Sequence, residues 1–248
     1  MVRIPRNKRY EYIIEPNDVD MNDRATMLAV FNYIMRTSHL DSQRHKLGIF
    51  EIRKHNLAWV ISRAVVEQNR VLKTMDPFRI VTWVSECNRI ACVRNFIILD
   101  MEGQEVGHAV TQWSIINFET RQPMNLMEMT RIQKHLHPEY PTIGVHPKKL
   151  QPLKTVTDTV THKVVNSDLD FNGHVNSLKY LQWMLDQVPI DFASSHQLWH
   201  FDVNYVHETH PHETAVILSN FGEDFTEFEI RNATQMPVCR ASLLWRKF

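Results

Sequence analysis

Asp170-Phe171-Asn172-Gly173-His174-Val175-Asn176 stands at the head of a run with Val175, Leu178, Leu181, Leu185 and Val188 spaced three and four apart, and reads as the opening of an amphipathic helix. A degenerate copy, Asp20-Met21-Asn22-Asp23-Arg24-Ala25-Thr26, lies 150 residues earlier and opens a similar helix. At the same offset Leu28 matches Leu178 and Tyr33 matches Trp183. The chain therefore reads as a duplicated unit. Further echoes are Trp59-Val60-Ile61 with Trp199-His200-Phe201, Val93-Arg94-Asn95 with Ile230-Arg231-Asn232, and Ala109 to Trp113 with Ala241 to Trp245.

Each copy has one plan: an alternating strand, the helix, then several strands rich in Val, Ile, Phe and Trp, which predicts an α+β fold with one helix against an antiparallel sheet. Expected strands are Arg9–Glu15, Ala58–Gln68, Phe78–Glu86, Ile90–Asp100 and Glu105–Phe118 in copy one. In copy two they are Leu198–Glu208, Ala215–Asn220, Phe225–Arg231 and Val238–Arg246. Proline-rich text from His137 to Pro152 lacks periodicity and reads as a connection. The resulting division is 1–135, a linker 136–155, and 156–248.

The 248 residues carry 28 Lys plus Arg against 28 Asp plus Glu, so global charge gives no reason to expect nucleic acid or a membrane surface as partner. No apolar run approaches the roughly 18 to 20 residues of a spanning helix. The basic N-terminus runs into alternating Tyr10, Tyr12 and Ile14 rather than an apolar signal core. Cys87, Cys92 and Cys239 are odd in number and lack metal-type spacing, which predicts free, mostly buried thiols in a reducing compartment. A cytoplasmic protein is the expectation.

Units that begin a helix with Asp-x-x-Gly-His-Val-Asn resemble the hotdog thioesterases, and two such units in one chain sharpen the likeness. Asp168-Leu169-Asp170-Phe171-Asn172-Gly173-His174-Val175-Asn176, with Tyr180 and Trp183 following, resembles the acyl-acyl carrier protein thioesterases of plants and bacteria. The resemblance implies two tandem hotdog units and hydrolysis of fatty acyl-acyl carrier protein to free fatty acid, with no cofactor. It also implies Asp170, Asn172, His174 and Glu208 as catalytic residues, the last in Tyr205-Val206-His207-Glu208 on a strand after the helix. Thr209 stands where the plant pattern has a cysteine, and Ser177 replaces an asparagine. An acyl-CoA thioesterase, a non-catalytic acyl-thioester binding module and a dehydratase sharing the architecture are the alternatives.

Physical reasoning gives the same residues roles. Backbone N–H groups near Gly173 and His174, or the Asn172 amide, are candidate oxyanion donors, with Asn176 beside them. Glu208 is the preferred general base, His174 orients water or substrate, and Asp170 fixes Asn172 or His174; attack by Asp170 itself is the competing mechanism. Copy one acts as an internal control. Arg24 stands in place of His174, and counting nine residues on from Trp59 and Trp199 sets Gln68, or Glu67 with a slip of one, opposite Glu208.

Glu208, His210 and His212 fall in one phase, but their spacing is too loose to predict a metal, and none is expected. Met124, Met127 and Met129 read as packing before an acyl tunnel. An acidic carrier requires a basic patch, for which Lys134, Lys148, Lys149, Lys154, Lys163 and Lys179 are candidates. Two hotdogs in one chain can complete each other, so a monomer or a homodimer is expected.

Overall fold

The computed structural model describes residues 9–140 and 142–248 and divides the chain into two compact units, one ending at Pro147 and the other spanning Lys148–Phe248. The first eight residues, on which the N-terminal signal reading rested, and Pro141 of the predicted linker lie outside the described residues.

The N-terminal unit runs β1 (Arg9–Ile13), α1 (Met27–Arg44), α2 (Ile49–Arg53), β2 (Leu57–Gln68), β3 (Pro77–Cys87), β4 (Cys92–Asp100), β5 (Glu105–Asn117) and α3 (Thr130–Gln133). Its antiparallel strands follow the order β1-β3-β4-β5-β2. The C-terminal unit runs β6 (Asp158–Lys163), α4 (Ser177–Leu185), α5 (Ile190–Ser195), β7 (His196–Tyr205), β8 (Thr214–Phe221), β9 (Phe225–Arg231) and β10 (Pro237–Lys247). Its order, β6-β8-β9-β10-β7, repeats the first. Both are hotdog-like sheet-and-helix units, as the alternating strands and the helical run predict.

Helix α1 starts because Thr26 accepts the Ala29 N–H, and it buries Val30, Phe31 and Ile34. Helix α4 is shorter than the apolar run suggests. Val175 precedes it and Val188 follows it, and its buried face is Tyr180, Leu181, Trp183 and Met184. Aromatic residues replace the expected aliphatic stripe because their polar ends find partners: Tyr180 Oη receives the Thr209 N–H at 3.2 Å, and Trp183 Nε1 donates to Asp168 Oδ1 at 3.3 Å.

Strand pairing fixes the equivalence of the two units. Val66 pairs Ala109 as Val203 pairs Ala241, and Ile61 pairs Trp113 as Leu198 pairs Trp245. The Ala109–Trp113 and Ala241–Trp245 echo is thus real. The other two echoes are false: Phe96, which pairs Ala109, matches Phe228, so Arg94 corresponds to Thr226 rather than Arg231, and Trp59 does not correspond to Trp199.

The expectation of free thiols fails for two of the three cysteines. Register sets Cys87 opposite Cys92 across the β3–β4 hairpin, and they form a disulfide, leaving only Cys239 free and buried. A reducing compartment therefore has no support from the cysteines. The stretch entering the second unit is pinned to that unit. Backbone N–H groups of Lys148 and Leu150 donate to the side chains of Asp202 and Asn204, and the Leu153 N–H donates to Glu229. Burial raises the Glu229 carboxyl, but bonds from Arg240 and Arg231, at 2.6 Å each, together with that N–H, hold it below its ordinary range.

Candidate active site

Residues Asp170–His174 form a loop pinched off before the helix, correcting the expectation that Asp170 opens it. Leu169 and Val175 form an isolated antiparallel bridge, the Asp170 N–H donates to the His174 carbonyl at 2.8 Å, and the helix is capped only at Asn176, whose side chain accepts the Leu178 N–H. Inside the loop Asp170 Oδ1 accepts the Asn172 N–H at 2.8 Å and the His174 N–H at 3.3 Å, while the Gly173 N–H donates to the Asp170 carbonyl at 3.0 Å. The Asn176 N–H goes to the Asp168 carbonyl. Backbone donors at Gly173, His174 and Asn176 are therefore committed to the fold, which removes them as oxyanion donors in this geometry. What the loop presents is side chains, with Asn172 Nδ2 oriented by Asp170 Oδ2 at 3.4 Å.

Gly173 closes the loop at φ +76°, a left-handed conformation in which a side chain crowds the backbone even though open space surrounds the site. The equivalent Asp23 adopts φ +57°. Gly173→Ala is expected to cost about 1 kcal/mol and Gly173→Asn less, because short polar side chains tolerate this region. Thermal melts of the two variants check the ranking.

Beneath the loop, Asp168 is the buried anchor that the sequence reading passed over. Its carboxylate accepts from His162 Nε2 at 2.9 Å, the Val165 N–H at 2.9 Å and Trp183 Nε1. Burial alone pushes this carboxyl up, yet the three donors outweigh it and leave it below its ordinary range.

The rest of the site arrives on residues 206–210, beyond the end of β7. Glu208 is thus off the strand that was expected to carry it. Val206 and His207 both donate to the Val238 carbonyl, and the Thr209 carbonyl accepts the Val175 N–H at 3.0 Å, which clips this segment to the loop. Glu208 Oε1 then lies 3.4 Å from His174 Nδ1, with both side chains partly exposed. The His210 ring stands edge-on to His174, centroids 4.8 Å apart, whereas His212 sits in a turn at φ +70°. Sequence phase had grouped His210 with His212 instead.

Thr209, in the position of the plant cysteine, is fully buried, and its hydroxyl has no partner among the described residues. With no base to activate it, it offers no nucleophile. Burial also pushes the Cys239 thiol well up, which makes it inert. Of the three methionines, Met124 and Met129 pack against the Leu47–Ile52–Ile115–Leu126 cluster and Met127 is exposed.

Unit one contains the same loop without the chemistry. Asp20 Oδ1 accepts the Asn22 and Arg24 N–H groups, Val19 and Ala25 form the bridge, and the Ala25 N–H donates to the Leu72 carbonyl as Val175 does to Thr209. Tyr33 Oη donates to Asp18 as Trp183 does to Asp168. Arg24, in the place of His174, turns back onto Asp20 at 2.6 Å. Because Asn69 and Arg70 both donate to Val106, as Val206 and His207 do to Val238, Glu208 corresponds to Val71, not to Gln68 or Glu67.

An acid–amide–imidazole loop intact in only one of two hotdog units defines a two-domain hotdog protein with a single candidate site. Sequence models of the acyl-ACP thioesterase N-terminal and C-terminal domains match residues 6–132 and 153–247. The chain belongs to the acyl-ACP thioesterase family.

It is 27% identical over 214 residues to a chloroplastic oleoyl-acyl carrier protein thioesterase of Coriandrum sativum, covering 80% of this chain and 58% of the relative. A chloroplastic palmitoyl-acyl carrier protein thioesterase of Cuphea hookeriana is 28% identical, with 81% and 51% covered. The chain thus spans between half and three fifths of the length of these curated relatives. Among solved structures, an acyl-ACP thioesterase of Bacteroides thetaiotaomicron superimposes with TM-score 0.83 at 27% identity, covering 96% of this chain and 97% of that one. The 12:0-ACP thioesterase of Umbellularia californica gives 0.87 at 23%, with 97% of each covered, and shares the fold. The plant relatives are named as chloroplastic, which overturns the cytoplasmic expectation.

Proposed function

We propose that this chain hydrolyses fatty acyl-acyl carrier protein to free fatty acid and carrier, using one site on its second unit. The observation that carries the reading is the His174–Glu208 pair: unit one keeps the loop, the bridge and the clip yet has Arg24 and Val71 in their places. Loop architecture needs neither residue, so their presence in unit two is chemical.

In this reading Glu208 takes a proton from water as the oxygen adds to the thioester carbonyl carbon. The Asn172 amide, held by Asp170, donates to the developing oxyanion, and Asn176, whose side-chain oxygen caps α4, turns its Nδ2 protons to substrate. Collapse breaks the C–S bond, and the carrier thiol leaves with the proton that Glu208 and His174 share. Asp170 holds the loop in this reading, with Oδ1 serving two backbone N–H groups and Oδ2 the Asn172 amide. Lys148, Lys149, Lys154 and Lys163 are exposed on unit two, where docking of an acidic carrier needs cations.

Thiol release over a panel of acyl-carrier and acyl-CoA thioesters tests the proposal. Carrier substrates are expected to be preferred, with a rate that falls as salt is raised while the CoA rate changes little. No release from any thioester would sink it, and turnover of CoA substrates alone would replace the carrier with CoA.

A further inference from the structure

We propose that His174, Glu208 and His210 form a three-ligand site for a divalent transition-metal ion of the zinc type, and that filling it inhibits hydrolysis. The inhibitory part rests on the function proposed above; the binding part does not. One ligand atom from each residue lies within 4.8 Å of the other two. Around a tetrahedral zinc with bonds near 2.0–2.2 Å, ligand atoms sit about 3.3 Å apart. His174 Nδ1 and Glu208 Oε1 are at 3.4 Å already, and the ligand atom of the exposed His210 ring is within 4.8 Å of them, about 1.5 Å or less from tetrahedral spacing.

The backbone holds His210 in place for this. Buried Thr209 is tied to Tyr180 and Val175, and the turn after it closes with the His210 N–H donating to Glu213 Oε2 at 3.1 Å and the Glu213 N–H to the His210 carbonyl. Two imidazoles and one carboxylate favour zinc, cobalt, nickel or copper over magnesium and calcium, which prefer oxygen ligands. Glu208 and His210 are exposed, which gives the ion an entry path and leaves a fourth position to water. In unit one the equivalent positions are Arg24, Val71 and Lys73, two of them cationic, so the site is particular to unit two. An ion bound here occupies the carboxylate that would accept the proton from water.

Chelator-treated protein titrated with cobalt(II), followed by the visible absorbance of four-coordinate cobalt, tests binding without substrate. Wild type is expected to take up one equivalent that His210→Ala and Glu208→Gln lose, with affinity falling about tenfold or more. Equal binding by wild type and His210→Ala would overturn the site, whatever the thiol-release assay finds. Zinc added to that assay is expected to inhibit wild type at concentrations at least about tenfold below those needed for His210→Ala, each rate taken relative to its own metal-free rate. Equal sensitivity, or stimulation by zinc, would overturn the inhibitory role.

Discussion

Replacing Glu208 by Gln is expected to lower kcat for thioester hydrolysis by about 10²- to 10⁴-fold, the usual contribution of a positioned base, and to leave the melting temperature where it was. The amide keeps the volume and one acceptor of the carboxylate but has no lone pair basic enough to take a proton from water. Folding has little stake in the exchange, because Glu208 lies beyond β7 with its side chain 36% exposed, and the clip that fixes its position is made by the backbone of its neighbours. Asp170→Asn gives the contrast. An amide oxygen still accepts the Asn172 and His174 N–H groups, so the loop survives, and the loss is expected to stay within about tenfold if Asp170 only orients Asn172. Near-normal hydrolysis by Glu208→Gln with collapse in Asp170→Asn would reverse the roles and make Asp170 the nucleophile. Steady-state kinetics of the two purified variants beside their melts separates these outcomes.

How much of this was legible in the sequence depends on where chain length was conserved between the copies. From the first strand to the helix the units keep one spacing, so Asp20, Asn22 and Tyr33 could be laid against Asp170, Asn172 and Trp183 by eye. Unit one then carries extra residues between α1 and β2 and again in the β3–β4 hairpin that holds the disulfide. Past those points residue type alone offers several registers, and the matches it suggests, Trp199 where His196 is equivalent to Trp59 and Arg231 where Thr226 is equivalent to Arg94, are odd slips that exchange the faces of the strand, which only the pairing reveals. Trp59 and Trp199 matched by type and misled. The strand register and the shared hydrogen bonds to Val106 and Val238 show that Val71, not Gln68, stands opposite Glu208. That correction strengthens the comparison, since a valine can neither take a proton nor bind an ion.

The consumption of the loop N–H groups was equally hidden. It follows from left-handed φ at Gly173 and Asp23, which fold five residues back on their own aspartate before any helix begins. His210 was visible but misgrouped, because the spacing of two that joined it to His212 is broken by the turn, while its real neighbour, His174, lies far off in sequence.

Asp168→Ala is expected to be the most destabilising single change near the site. The carboxylate is 4% exposed and joins β6 through His162, the short turn through Val165 and α4 through Trp183, while its own carbonyl fixes Asn176 at the head of the helix. Truncation leaves the indole N–H buried without an acceptor; the His162 ring and the Val165 N–H are nearer solvent and recover water. A cost of about 3 kcal/mol follows, at the lower end of what breaking a buried charged partnership incurs. For a chain of this size that is roughly 6–12 °C in Tm. Trp183→Phe removes one donor of the three and is expected to cost about 1 kcal/mol. In the double variant the two losses should add to less than their sum, since the contact between them is lost only once. The pH dependence has a fixed sign. A carboxyl held below its unfolded value stabilises the fold above that value, and the contribution is lost as pH falls through the folded value, so the gap between wild type and Asp168→Ala should narrow below about pH 4. A variant melting within a degree or two of wild type at pH 7, or a gap that widens in acid, would show that Asp168 does not anchor the Asp170–His174 loop.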